Sequence, residues 1–260
     1  MLTLSDTRSA AASRLRDYFD LQLRFAEAVA AGTDVDFAEA VTFYTNLHRR
    51  FGYGRIVDGQ VADGWRGYLG QLTGLDSHDA RVALTQAFFC SAPPEPLPGG
   101  DRQFGCFGYD VPDGQGVVRI HFGNFDSADG TGPLDRSKRD RRMSELARMF
   151  LMIRRRHRDA RTVVGTSWLY HVPAYRRLFP RQYVQAREVL TAGHRFDGMS
   201  SWGQFIDHTG RVKAPVRVAF LRNLTRLDPQ RLWTVFPYPA LRTEAPVEIF
   251  HDHFSVNVRT

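Results

Sequence analysis

The stretch RTVVGTSWLYHVPAYRRLFP, Arg161–Pro180, sets two different periods back to back. Its first part, Thr162 to Trp168, is β-branched and apolar, the composition of an interior strand. Its second part opens on Pro173, which suits the first turn of a helix, and closes at Pro180, which cannot continue one. A buried strand running into a short helix puts Ser167, Trp168, Tyr170 and His171 at the join. Such a join is either a working site or a packed corner, and these residues favour the corner, with Trp168 inside and Ser167 hydrogen-bonded.

Upstream, a helical stripe runs from Asp135 to about Arg158, with Met143, Leu146, Phe150 and Ile153 on its buried face. Before it, NFDSADGTGPL (Asn124–Leu134) is a loop rich in Gly and Asp. FGCFGYD and GVVRIHFGN are strand-like and are joined through VPDGQG, whose Pro-Asp-Gly is turn chemistry, so a hairpin is expected. The first third has the helical period instead. Leu15, Phe19, Leu23, Ala26 and Ala30 form one stripe. Phe37, Val41, Tyr44, Leu47 and Phe51 form a second that stops at Gly52, and Trp65, Tyr68, Leu69 and Leu72 form a third. Ser77 caps a fourth that carries Val82, Leu84 and Phe88.

SAPPEPLPGGDRQ, Ser91–Gln103, holds prolines and glycines that neither a helix nor a central strand tolerates. It marks a boundary between a helical N-terminal domain, residues 1–92, and a mixed α/β domain, residues 103–260. Within the latter, QYVQAREVL and WGQFID are strand candidates. Pro215–Leu224 and Pro229–Phe236 are short helices, the second capped by Asp228, and APVEIFHDHFSV (Ala245–Val256) is a final strand. The fold class expected is α+β.

The composition, 43% hydrophobic and 24% charged, is that of a globular chain. No apolar run approaches the roughly 20 residues that span a bilayer, and the N-terminus lacks the pattern of a secretory signal. Cys90 and Cys106 each sit in a hydrophobic stretch, which reads as two buried thiols in a reducing cytoplasm. The net charge is +7, and the segment Asp135–Arg161 accounts for all of it. Phosphate-binding Gly-rich loops, the nucleophile elbow and the His-Glu-x-x-His motif are missing, and two isolated cysteines exclude a zinc finger.

Three short patterns remain. HDH, His251–His253, would project both imidazoles from one face of a strand, and His121 or His171 would supply a third metal ligand. The bland alternative is packing and hydrogen bonding, and no metal is expected. RRRHR, Arg154–Arg158, would grip phosphate or form a solvated helix face; no aromatic residues interleave it, and specific nucleic-acid binding is not expected. GTGPLDRSKRD would cradle an anion at the start of the following helix, through Gly130, Gly132, Arg136, Lys138 and Arg139.

Taken in order, RIHF, GPL, a long helix ending ARMFLMI, and GTSWLYHVPAYRRLFP resemble the acyltransferase-like proteins of the GNAT type with a helical N-terminal domain, over about Val117–Pro180. The resemblance implies a GNAT-like C-terminal sheet and an acyltransferase, or a degenerate relative, using a coenzyme A ester and an acceptor not identified by the residues. His121 or His171 would be its general base, with Arg136, Lys138 and Arg139 as the phosphate grip. The chain departs from the family at Tyr170, where the pattern has leucine, after Pro180, and in lacking the Arg/Gln-x-x-Gly-x-Gly/Ala pyrophosphate loop. Two other classes stay open: a non-catalytic binding protein that engages an acidic partner through the Arg-rich helix, and a metal-dependent enzyme built on the histidines.

Overall fold

A computed structural model describes residues 4–56, 59–93, 100–191 and 195–255. In chain order the helical first part holds α1 (Leu4–Arg14), α2 (Arg16–Gly32), α3 (Phe37–Tyr44), α4 (Asp63–Thr73) and α5 (His78–Ser91). There follow β1 (Gln103–Phe104), β2 (Phe107–Tyr109), β3 (Val117–Phe122), α6 (Arg139–Arg156), β4 (Thr162–Ser167), α7 (Pro173–Arg176), α8 (Arg181–Gln185) and β5 (Glu188–Val189). The last elements are α9 (Met199–Trp202), α10 (Ala214–Leu224), β6 (Leu241–Pro246) and α11 (Val247–His253). The protein is α+β, with a mixed six-stranded sheet. None of the helices described is long and apolar enough to cross a membrane.

Two compact units divide the chain, one formed by Met1–Leu97 with Thr191–Pro239, the other by Pro98–Leu190 with Ala240–Thr260. The chain therefore leaves the helical unit, builds most of the sheet unit, returns to the helical unit, and goes back. A single boundary in Ser91–Gln103 does not describe this path; residues 94–99 of that stretch lie outside the described residues.

In the helical unit, α2 is buried nearly all round, from Tyr18 to Val29. Phe25 on it meets the rings of Phe196, Trp202, Phe220 and Phe236 at 5.7, 5.8, 5.9 and 5.2 Å. These four aromatics come from the returning segment and close the core. WGQFID is accordingly not a strand: Trp202 ends the short helix α9, and Trp202 and Phe205 are fully buried. Ser77 caps α5, its hydroxyl accepting from the amide of Ala80. Cys90 is exposed and Cys106 buried, so only one of the two thiols is interior.

The sheet has the order β1-β2-β3-β4-β6-β5. β2 and β3 form the expected hairpin, with Tyr109 opposite Ile120. β3 and β4 are parallel, and α6 is their crossover; every other pairing is antiparallel. Leu146, Met149, Phe150 and Ile153 of α6 join Phe107, Val118, Ile120 and Val163 in the core.

QYVQAREVL turns out to be α8 followed by the two-residue β5. APVEIFHDHFSV is a strand only as far as Pro246, which has no N–H to extend a ladder. Val247, Phe250 and Phe254 then follow at helical spacing, and Phe250 and Phe254 stack on Phe150 at 4.7 and 5.3 Å.

The join after β4 is a packed corner, but a different one from that expected. A 3-10 turn over Trp168–His171 is capped by Ser167, whose hydroxyl accepts from the amide of Leu169 at 3.1 Å. The turn leaves Trp168 half-buried and sends Leu169 and Tyr170 inward. The hydroxyls of Tyr170 and Tyr183 hydrogen-bond each other at 2.7 Å over the backbone of Gly165, and burial raises both phenols well above their ordinary range. A methyl group at position 165 would run into both hydroxyls. Gly165→Ala is therefore expected to cost about 1–3 kcal/mol by overpacking, measured by denaturant unfolding; a change below about 0.5 kcal/mol would show that this corner yields freely.

Candidate functional site

The ends of α6 carry the charge of the sheet unit, and they differ in kind. Its start is a closed electrostatic clamp. Lys138, although a lysine in a solvent-facing loop, is only 3% exposed. Its ammonium donates to the carbonyl of Asp126 at 2.7 Å, to Asp129 Oδ1 at 2.8 Å and to the carbonyl of Thr131 at 3.2 Å, which uses all three of its protons. Asp135 in turn accepts from the amide and hydroxyl of Ser137 at 2.9 and 2.7 Å. The amide and hydroxyl of Ser137 at the start of this turn are thus held by the protein's own carboxylate.

Of the expected phosphate-binding residues, Gly130 and Gly132 shape this loop and Lys138 ties it shut. Of their charged side chains, those of Arg136 and Arg139 stay exposed. Lys138 cannot also serve as a phosphate grip without releasing the loop.

Beneath the clamp lies a buried ionic group. The guanidinium of Arg142 donates to Asp126 Oδ2 and Glu145 Oε1, both at 2.7 Å, and to the thiol of Cys106. Glu145 Oε2 accepts from the amide of Cys106 at 3.0 Å. Its carboxylate lies where a side chain on Gly105 would stand; Gly105 has φ of 60°, so glycine is required there twice over. Burial raises the Cys106 thiol and the Glu145 carboxyl. The enclosure of Cys106, and the engagement of both terminal nitrogens of Arg142 by partners of the fold, give this group a structural role.

The other end of α6 is open. Here RRRHR divides its labour: Arg156 pairs with Asp101, whereas Arg154, Arg155 and Arg158 line a groove of about 380 Å³ together with His157, Ala160, Val247, Glu248 and His251. The amide of Val247 donates to the carbonyl of Arg161 at 2.9 Å, which fixes the start of α11 beside the end of α6. His157 Nε2 lies 3.3 Å from the hydroxyl of Tyr109. His251 Nε2 is buried and has no hydrogen-bond partner. Burial, and then the positive charge of Arg154, push the His251 imidazole below its ordinary range, so it is neutral near pH 7.

The histidines do not form the metal site that HDH suggested. On a helix, residues two apart point in nearly opposite directions. His251 faces the groove, and His253 lies near the backbone of Leu178. Among the described residues no three His, Cys, Asp or Glu side chains are placed to hold a metal ion. His121, half-exposed on β3, pairs through Nε2 with Asp110 Oδ1 at 3.0 Å. His171 ends the 3-10 turn after β4.

Comparison with family models, with curated proteins and with solved structures returns no match. The Arg-rich stretch was visible in the sequence as a candidate; its partners Val247, Glu248 and His251 were hidden because that segment reads as a strand.

The clamp makes the stability of the protein acid-sensitive. Hydrogen bonds from Lys138 and then Thr131 hold the Asp129 carboxyl far below the ordinary range. Burial opposes the charge of Asp126, but Arg141, Arg142 and Lys138 outweigh it; the Ser137 hydroxyl and amide lower Asp135. A carboxyl depressed on folding contributes stability that is complete above its unfolded value, about 3.9, and disappears as pH falls toward the folded value. The melting temperature should therefore fall steeply below about pH 4. Asp129→Asn should melt lower at pH 7 and show a shallower acid slope, with the two proteins converging at the acid end. An acid slope equal to that of the unaltered protein would remove Asp129 from this account.

Proposed function

We propose that the chain is a binding protein that engages an anionic ligand through the open end of α6. One observation carries this reading. The groove is lined by Arg154, Arg155 and Arg158 from the end of α6 and the turn after it and by the partly buried His251 of α11, with Glu248 as the one acid among its lining residues. Guanidiniums bind carboxylate and phosphate in paired hydrogen bonds, and their charge at a helix C-terminus is further favoured by the helix dipole. A volume of about 380 Å³ suits a small molecule.

A second reading, acyl transfer from a coenzyme A ester, is supported by the order of elements: a strand carrying Ile120 and His121, a loop with Gly132-Pro133-Leu134, α6, and a parallel strand ending at Ser167. The Asp110 carboxylate orients the imidazole of His121 as a general base requires. The closed clamp at the start of α6 weighs against a phosphate grip there, and this reading stands second.

Calorimetry at low salt separates the two. Pyrophosphate should bind, more weakly as salt is added, and the triple variant R154A/R155A/R158A should lose at least about tenfold in affinity, or 1.4 kcal/mol. Coenzyme A titrated in parallel should follow the same variant. Loss of coenzyme A binding in R136A/R139A instead would favour the acyltransferase reading, and no heat from either compound at millimolar concentration would overturn the binding proposal.

A further inference from the structure

We infer that Met199 is a site of reversible oxidation, and that the buried groups beneath it are placed to hold its sulfoxide. The inference concerns the helical unit and stands apart from the groove at the end of α6.

A mismatch between donors and acceptor carries it. Asn46, which lies just after α3, is 1% exposed, and Tyr18 and Gln22 of α2 are fully buried. Gln22 fixes the other two: its Oε1 accepts from the backbone amide of Asn46 at 2.8 Å, and its Nε2 donates to the carbonyl of Tyr18 at 3.4 Å. Through Nδ2, Asn46 then donates to the Tyr18 hydroxyl at 2.8 Å and to Met199 Sδ at 3.0 Å. The Tyr18 hydroxyl points at the same sulfur from 3.9 Å. Two buried donors thus converge on a thioether, one of the weakest acceptors a side chain offers. A buried donor given a poor acceptor recovers little of the hydration it has lost.

The sulfur is also within reach of an oxidant. Met199 is 39% exposed, whereas Met149 is fully buried and Met143 and Met152 are partly buried. The co-reactant is hydrogen peroxide. A sulfur lone pair attacks one peroxide oxygen, an S–O bond forms and the O–O bond breaks. The second oxygen leaves as water with both protons, so the sulfur is oxidised by two electrons and the peroxide reduced by two. Oxidation of this kind ordinarily disrupts packing, because it turns an apolar side chain polar. Here the new oxygen is a strong acceptor, and rotation about the flexible side chain of Met199 turns it toward Asn46 Nδ2 and the Tyr18 hydroxyl. Met199 begins α9, and Trp202 at the end of α9 packs on Tyr18 and Phe25, so a firmer hold on Met199 secures the segment that closes this core. A methionine sulfoxide reductase working with a dithiol reverses the step: two electrons and two protons return, the oxygen leaves as water, and the dithiol becomes a disulfide.

The test is peroxide treatment of the whole protein near neutral pH, followed by mass spectrometry of tryptic peptides and by melting curves. Met199 should gain one oxygen at least about fivefold faster than Met143, Met149 or Met152. The melting temperature should then rise by about 2–4 °C, the effect of one added hydrogen bond between buried groups in a chain of this size. Met199→Leu treated in parallel reports what oxidation elsewhere does, and the rise is read against it. Met199→Gln, whose amide oxygen stands in for that of the sulfoxide, should melt higher than Met199→Leu by a similar amount with no peroxide. Tyr18→Phe keeps the ring, removes one donor and should shrink the rise. Sulfoxide reductase with dithiothreitol should restore both the original mass and the original melting temperature. A melting temperature that falls or stays the same when Met199 is oxidised, equal melting of Met199→Gln and Met199→Leu, or a rise undiminished in Tyr18→Phe would overturn the role given to the buried donors. Oxidation of Met199 no faster than that of Met143 or Met152, or a sulfoxide that the reductase cannot remove, would overturn the reversible site itself.

Discussion

Two parallel strands cannot be joined by a hairpin, and the parallel pairing of β3 with β4 is the constraint on which the sheet unit depends. The chain must cross from the end of one strand to the start of the next, and α6 makes that crossing. Its apolar stripe covers the sheet, so both its ends are committed to the margins of the same core. Its start lies over the turn between β1 and β2, where Glu145 meets the backbone of Cys106. Its end comes down beside the start of β4, where Arg161 also receives the amide of Val247. The groove is a consequence of this geometry.

The same helix handles charge in two ways. At its start, Lys138 and Arg142 are buried with carboxylates whose geometry compensates for lost hydration. A buried ion pair of this kind is weak evidence for net stability, since desolvation offsets much of the attraction, but removing one partner leaves an uncompensated charge. At its end, Arg154, Arg155, Arg156 and Arg158 are exposed, where salt screens their mutual repulsion and the helix dipole offsets part of it. The first arrangement organises a loop, and the second leaves positive charge at the surface.

The helical unit builds its core by another route. Its core is aromatic, and the rings that surround Phe25 arrive from a segment far along the chain. Edge-to-face contacts of this sort need particular rings in particular places more than they need a regular period. That explains why Trp202 and Phe205 gave no usable local signal, although they are among the most deeply buried residues.

Several features were determined by local sequence alone. Periodicity marked α2, α4, α5 and α6, the Pro-Asp-Gly turn marked the β2–β3 hairpin, and Pro173 marked the start of α7, because each of these depends on neighbours within one turn or one strand. The α+β class followed from them. Only the tertiary structure decided where long-range partners lie: that Thr191–Pro239 returns to the helices, that Arg142 and Glu145 belong to the buried stripe of α6, that Lys138 is interior, and that His251 looks across at Arg154. The physical reason is the same in each case. Whether a charged or aromatic side chain is a surface group, a clamp or a site is settled by the element that packing places opposite it.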